Sequence, residues 1–157
     1  MKNELLASVL LLALAGAAIA IASPGHSGGH SHSALGEPGD PKRVTRTVEV
    51  RMNDQMRFVP DRVSVRPGET IRFVVRNMGM LPHEMMLATE EELIEHAKVM
   101  QANPGMEHEE EPNAVTVQPG KTGEIVWRFT NAGTFKFGCL VPGHYEAGMV
   151  GTVSVRR

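Results

Sequence analysis

Apolar and polar residues alternate along most of the chain after residue 44. Because successive side chains of a β-strand point to opposite faces of the sheet, this period of two predicts strands with one buried face. Seven runs carry the alternation, and their apolar positions are Val48, Val50 and Met52; Val63 and Val65; Ile71, Phe73 and Val75; Val115 and Val117; Ile125, Trp127 and Phe129; Phe135 and Phe137; and Val153 and Val155. Turn-forming pairs such as Pro67-Gly68 and Pro119-Gly120 separate the runs. The pattern predicts an all-β fold, a β-sandwich of about seven or eight short strands.

One segment departs from this alternation. Thr89 followed three residues later by Glu92 is a capping box, which is typical of a helix N-terminus. Leu93 and Ala97 then continue an apolar stripe at helical spacing. The sequence therefore predicts one helix, from about Glu90 to Gln101, inserted among the strands.

The first part of the chain has a different composition. Leu5 to Ala22 is a run of apolar and small residues that ends in Ala20-Ile21-Ala22, which predicts a signal peptide over residues 1–22 and export to the periplasm. The run is also long enough to stay in a bilayer as an N-terminal anchor, which is the alternative. After cleavage we expect no contact with the membrane. Residues 23–43 are rich in Gly, Ser and Pro and predict a flexible tether, and residues 44–157 form the predicted folded domain.

Charge and cysteine content narrow the choice of function. The 157 residues suit one domain, and 16 Lys+Arg against 18 Asp+Glu leave a formal charge of -2. With no basic excess, we expect no nucleic-acid partner. We also expect a monomer. The single cysteine, Cys139, cannot form an intramolecular disulfide, so its thiol is either free or bound to a metal. A free thiol is unusual in an oxidising compartment, which favours a bound metal.

Three metal-ligating residue types recur at five-residue intervals near the C-terminus: Cys139, His144 and Met149. Thiolate and thioether are soft ligands and imidazole is intermediate, a combination that suits copper. A set of two imidazoles, one thiolate and a weak axial thioether is the blue-copper arrangement. His83, in a predicted loop after the Ile71–Val75 strand, is the candidate second imidazole. Zinc is chemically possible, but a Met ligand disfavours it.

These motifs resemble those of the cupredoxins, the plastocyanin/azurin class of blue-copper proteins. The resemblance rests on the Cys-x4-His-x4-Met spacing followed by the sequence Val-Gly-Thr-Val, and it covers about residues 44–155. The Leu-Pro-His-Glu segment, the acidic helix and the sequence CLVPGHYEAGM resemble more narrowly the periplasmic copper-tolerance cupredoxins. The resemblance implies a Greek-key β-sandwich and one copper ion that alternates between Cu(I) and Cu(II). The implied ligands are His83, Cys139, His144 and Met149.

One position departs from the cupredoxin pattern. Many cupredoxins follow the first ligand His with Asn, whose side chain ties the two ligand segments together. Here that position is Glu84. We therefore expect the hydrogen bonding around the ligands, and with it the colour and reduction potential, to be set differently in this chain.

Two functions fit these residues. The first is a periplasmic type-1 copper protein that serves copper tolerance, and the alternative is a dedicated electron carrier between redox complexes. Either function calls for a redox partner or a copper-handling protein. An enzyme is not expected, because copper oxidases need paired His-x-His motifs in the folded domain, and the one such motif lies at residues 30–32.

Other residues are candidates for additional copper binding. In the tether these are His26, His30 and His32. The candidates for a second Cu(I) site are Met52, Met56, Met78, Met80, Met85 and Met86, although such residues more often fill a core.

Overall fold

The alternating runs pair into two five-stranded sheets in the computed structural model, which describes residues 34–103 and 111–157. The strands of this part of the chain are β1 (Gly36–Pro38), β2 (Arg46–Asn53), β3 (Arg57–Val59), β4 (Arg62–Val65), β5 (Thr70–Asn77), β6 (His83–Ala88), β7 (Ala114–Val117), β8 (Thr122–Phe129), β9 (Gly133–Gly138) and β10 (Val150–Val155). One sheet has the order β1-β8-β5-β2-β3 and the other β4-β10-β9-β6-β7. The predicted all-β sandwich with one inserted helix is confirmed.

The core lies between the two sheets. β5 and β8 pair antiparallel in the first sheet, with Phe73 opposite Ile125, and Trp127 is fully buried. Phe58 of the first sheet meets Phe137 of the second edge to face, with ring centroids 5.0 Å apart. Each fully buried side chain of this size stabilises the fold by about 1.5–3 kcal/mol. All seven alternating runs identified in the sequence are strands, with most of their apolar positions in this core.

Three strands were not anticipated: β1, β3 and β6. The first two have three residues each, too few to display a period. β6 is buried at all six positions, since it lies between β7 and β9 and is covered on both faces. A strand without a solvent face has no alternation, so His83 begins a strand where the sequence predicted a loop.

The predicted tether is wrong at its C-terminal end. Leu35 is buried, and Gly36–Pro38 pairs with the end of β8. Gly36 allows this strand to approach β8 closely, because a Cβ at this position would overlap the carbonyl oxygen of Arg128. Pro41–Arg43 then forms one 3-10 turn, with Asp40 as its N-cap. Residues 1–33, with the predicted signal peptide and the rest of the tether, lie outside the described residues.

The predicted helix is confirmed as α1, Glu90–Ala102, with both hydrogen bonds of the capping box between Thr89 and Glu92. Its buried side chains, which include Leu93 and Ala97, pack with Leu140 over the second sheet. Within residues 34–103 and 111–157, no helix is long and apolar enough to cross a membrane.

Candidate metal centre

The segment between β9 and β10, residues 139–149, is here called the ligand loop. Its ends are adjacent because Gly138 and Val150 are paired, and the Cys139 N–H donates to the Met149 carbonyl at 3.1 Å. Inside the loop the Met149 N–H donates to the His144 carbonyl at 3.0 Å. Gly143 turns the chain at a φ of 86°, a conformation that favours glycine. Main-chain hydrogen bonds therefore bring the Cys, His and Met positions of the loop close together.

The sheet brings His83 to the same place. β6 pairs with β9, and Met86 lies opposite Gly138, the residue before Cys139. The Glu84 N–H donates to the Cys139 sulfur at 3.3 Å. The two segments that the sequence singled out independently are thus neighbours at one end of the sandwich.

Three donor atoms converge between these segments. His144 Nδ1 lies 3.2 Å from His83 Nδ1 and 3.3 Å from Cys139 Sγ, and Cys139 Sγ lies 4.0 Å from His83 Nδ1. Among the described residues, this is the one group of three or more His, Cys, Asp or Glu side chains arranged to hold a metal ion. Two imidazoles and one sulfur facing a common point form a donor set that suits copper.

Met149, the fourth predicted ligand, is fully buried and belongs to the main core. Its main-chain groups form hydrogen bonds with those of Cys139 and His144. The fold therefore places Met149 at the base of the ligand loop, next to the two ligand positions of that loop.

Burial disfavours the charged forms of two of the three donor groups in the metal-free site. It raises the pKa of the Cys139 thiol to about 11 and lowers the pKa of His144, which the neighbouring His83 lowers further. At neutral pH the thiol is therefore protonated and the His144 imidazole neutral. A metal ion that binds the sulfur must displace the thiol proton.

Glu84 connects the two ligand segments in place of the Asn found in many cupredoxins. The residue is buried, at 2% exposure. Its N–H donates to Cys139 Sγ, and its Oε2 accepts from the Leu140 N–H at 3.3 Å. Glu84 therefore links the two segments by hydrogen bonds, as Asn does in many cupredoxins, but it places a carboxyl group beside the Cys139 sulfur.

Two residues that the sequence did not single out hold His83. Residues 78–82, here called the His83 loop, join β5 to β6. The buried Asn77 side chain donates to the carbonyls of Leu81 (2.7 Å) and Val117 (2.8 Å). Asp54, from the turn between β2 and β3, accepts from His83 Nε2 at 3.1 Å. No local pattern marks the contact of Asp54 with His83 or that of Asn77 with Val117, because these partners are 29 and 40 residues apart in the sequence.

The six candidates for a second Cu(I) site lie in different surroundings. Met52 and Met85 are in the main core, Met56 is partly buried against it, Met86 packs beneath the helix, and Met78 and Met80 are exposed. The histidines of the tether, His26, His30 and His32, lie outside the described residues.

Comparison with known proteins finds copper-binding proteins. The family model described as "Copper binding proteins, plastocyanin/azurin family" matches residues 44–156. A copper-resistant cuproprotein named CopI from Rubrivivax gelatinosus is 49% identical over 166 residues, which cover 99% of this chain and 100% of that protein. A protein of the same name from Pseudomonas aeruginosa is 34% identical over 183 residues, covering 99% of this chain and 98% of that one.

A solved structure supports the fold. The crystal structure of dithionite-reduced auracyanin from the photosynthetic bacterium Roseiflexus castenholzii superposes with a TM-score of 0.62 at 22% identity. The match covers 73% of this chain and 99% of that one. The sandwich is therefore shared with a protein of low sequence identity.

Proposed function

The chain belongs to the plastocyanin/azurin family of copper-binding proteins and is related to the CopI cuproproteins, and from this premise we propose that it is a periplasmic one-electron protein that serves copper tolerance. The proposed ligands of its one copper ion are His83, Cys139, His144 and Met149. When bound there, copper supplies one-electron exchange between Cu(I) and Cu(II).

The observation that carries this proposal is the convergence of three donor atoms in a closed site. His83 and Cys139 are 0% exposed and His144 is 9% exposed. Side chains that are buried in this way move little when the charge of the metal changes, which favours electron exchange. They also leave no approach for a substrate, so we propose that the protein is not an enzyme.

We propose that electrons enter and leave the site through the His144 ring. Of the two imidazoles, it is the one that reaches the surface. The adjacent residues Pro142 and Gly143 are exposed. A redox partner or copper-handling protein that docks over this end of the sandwich would approach the site most closely through the His144 ring.

The role in copper tolerance rests on the relatives, whose printed name is copper-resistant cuproprotein. The periplasmic location rests on the apolar run of residues 5–22 and its Ala-x-Ala ending. The alternative, a dedicated electron carrier, uses the same ligand set. Deletion of the gene separates the two: copper sensitivity with intact respiration supports tolerance, whereas a respiratory defect without copper sensitivity overturns it.

The copper site itself is tested by visible and EPR spectroscopy of the purified protein during titration with Cu(II). We expect an intense thiolate-to-copper band that saturates at one equivalent and is absent from Cys139→Ser, since a hydroxyl cannot replace the thiolate donor. The matched control is Ser154→Ala, a change in β10 away from the ligands. A weak Cu(II) spectrum that survives Cys139→Ser would move copper binding elsewhere in the chain.

A further inference from the structure

The Asp54 carboxylate joins a metal-ligand ring to the loop that precedes it. Oδ1 lies 3.1 Å from His83 Nε2, and it also accepts from the Leu81 N–H at 3.3 Å. Oδ2 accepts from the Met80 N–H at 2.7 Å. One side chain of the β2–β3 turn thus contacts both the His83 loop and the imidazole at its end.

The geometry decides which ring nitrogen of His83 carries the hydrogen. Nδ1 points toward Cys139 Sγ and His144 Nδ1, where a metal requires a lone pair. Nε2 points to Asp54, an acceptor. A neutral imidazole has one N–H, so the carboxylate favours the tautomer with hydrogen on Nε2 and a free lone pair on Nδ1.

The carboxylate is itself held in place. Gly79 lies so close that a Cβ there would overlap Asp54 Oδ1. The Gly79 N–H donates to the buried Asn77 amide oxygen at 2.9 Å, which keeps the turn against Asp54. Hydrogen bonding, first of all from the Met80 N–H, lowers the pKa of Asp54 and keeps the carboxylate charged at neutral pH.

From these contacts we propose that Asp54 is a positioning residue of the copper site, which fixes the tautomer and orientation of His83 and favours Cu(II) over Cu(I) through its negative charge. The inference rests on the proposed copper site. Carboxylate–imidazole–metal couples of this kind orient the ligand ring and raise its basicity, and their loss typically costs about 10–100-fold in metal affinity.

The primary test is Asp54→Asn, with Asp40→Asn as the matched control. Both variants remove one carboxylate, and Asn retains the N-cap function of Asp40. For Asp54→Asn we expect a Cu(II) affinity about 10–100-fold weaker than that of the unaltered protein, together with a higher reduction potential. In the metal-free protein, nitrogen chemical shifts should report a smaller excess of the Nε2–H tautomer of His83, because a neutral amide oxygen is a weaker acceptor than a carboxylate. Asp40→Asn should leave all three quantities unchanged.

A second variant keeps the carboxylate but moves it. Gly79→Ala introduces the Cβ that overlaps Asp54, so it should shift the His83 tautomer and the potential in the same direction as Asp54→Asn. Urea denaturation of both variants establishes that each is folded. If Asp54→Asn is unfolded, Gly79→Ala alone tests the proposal by the same readouts.

The proposal and the copper site can fail separately. An unchanged tautomer and potential in folded Asp54→Asn, with the thiolate band intact, would overturn the role of Asp54 and leave the copper site standing. Absence of the band from the unaltered protein would overturn the copper site. A mixed His83 tautomer in the unaltered metal-free protein would by itself overturn the inference about Asp54.

Discussion

The ligand loop and the His83 loop deliver the same kind of side chain to one site by different means. The ligand loop is held by main-chain hydrogen bonds among its own residues, such as those of Met149 with Cys139 and His144. The His83 loop has one main-chain hydrogen bond, from the Met78 N–H to the Met52 carbonyl at 2.8 Å, and is otherwise held by side chains, Asn77 beneath it and Asp54 beside it. Because main-chain bonds survive most substitutions, side-chain changes in the ligand loop should alter the metal chemistry and spare the loop. Substitution of the side chains that hold the His83 loop should instead lower the stability of the fold.

The largest effect on stability is expected from Asn77→Ala. Its amide makes three hydrogen bonds, to Leu81, Val117 and Gly79. Replacement leaves these main-chain groups without that partner, the Val117 carbonyl in a buried place and the other two in partly buried ones. With about 1–3 kcal/mol for each buried group left unsatisfied, we expect a loss of about 2–4 kcal/mol in the free energy of unfolding. Urea denaturation of the metal-free protein measures it.

The control is Asn53→Ala, which removes an amide that bonds the Gln55 main chain at the surface. We expect this change to cost about 0.5–1 kcal/mol, because water can replace an exposed partner. Equal losses in the two variants would contradict the role of Asn77 in holding the His83 loop.

The second-largest effect on stability is expected from the thiol of the ligand loop, through the pH dependence of the free energy of unfolding in the metal-free protein. Burial raises the pKa of Cys139 from an ordinary value of 9.0 to about 11. A raised pKa of the folded state stabilises the protein below pH 9.0, and this contribution is lost as the pH rises through about 11. Across that window, the free energy of unfolding should fall by up to about 3 kcal/mol.

Cys139→Ser isolates this contribution, because its hydroxyl does not titrate in the same window while every other group is shared. Urea denaturation of both proteins at several pH values from about 8 to about 11 gives the difference. If the two stability curves remain parallel throughout, the thiol is not buried as the structure places it.

The two loops also differ in how far the sequence predicts them. The spacing of Cys139, His144 and Met149 is local, and short-range chemistry suggests their grouping. Residues such as Phe73 and Trp127 alternate with polar neighbours, so their strands could be assigned. The predicted helix required only Thr89, Glu92 and an apolar stripe. Patterns within about ten residues were therefore sufficient for the sandwich, the helix and the ligand loop.

Long-range contacts were beyond such patterns. Asp54 reaches His83 across 29 residues, and Asn77 reaches Val117 across 40. The strand that begins at His83 is buried on both faces and therefore has no alternation. Gly36 suggested flexibility, yet it is required for close packing against β8. Each of these features depends on a partner that becomes a neighbour only when the chain has folded.

The smallest effect on stability is expected from Met149→Leu. The main-chain bonds of Met149 to Cys139 and His144 are independent of its side chain. Leu has a similar volume, so the exchange should cost less than about 1.5 kcal/mol. Without the Met149 thioether, the two imidazoles and the thiolate would still hold copper, so we expect retained copper with a raised reduction potential. Denaturation and redox titration measure the two quantities.

Met100→Leu separates packing from ligation, because Met100 is also buried, at 5% exposure, but lies in the helix away from the donor atoms. The two variants should lose similar stability, and only Met149→Leu should change the potential. A shift of equal size in both would mean that the potential responds to the core in general. Loss of copper from Met149→Leu would mean that the fourth ligand is essential, and that the ligand loop depends on its side chains as much as the His83 loop does.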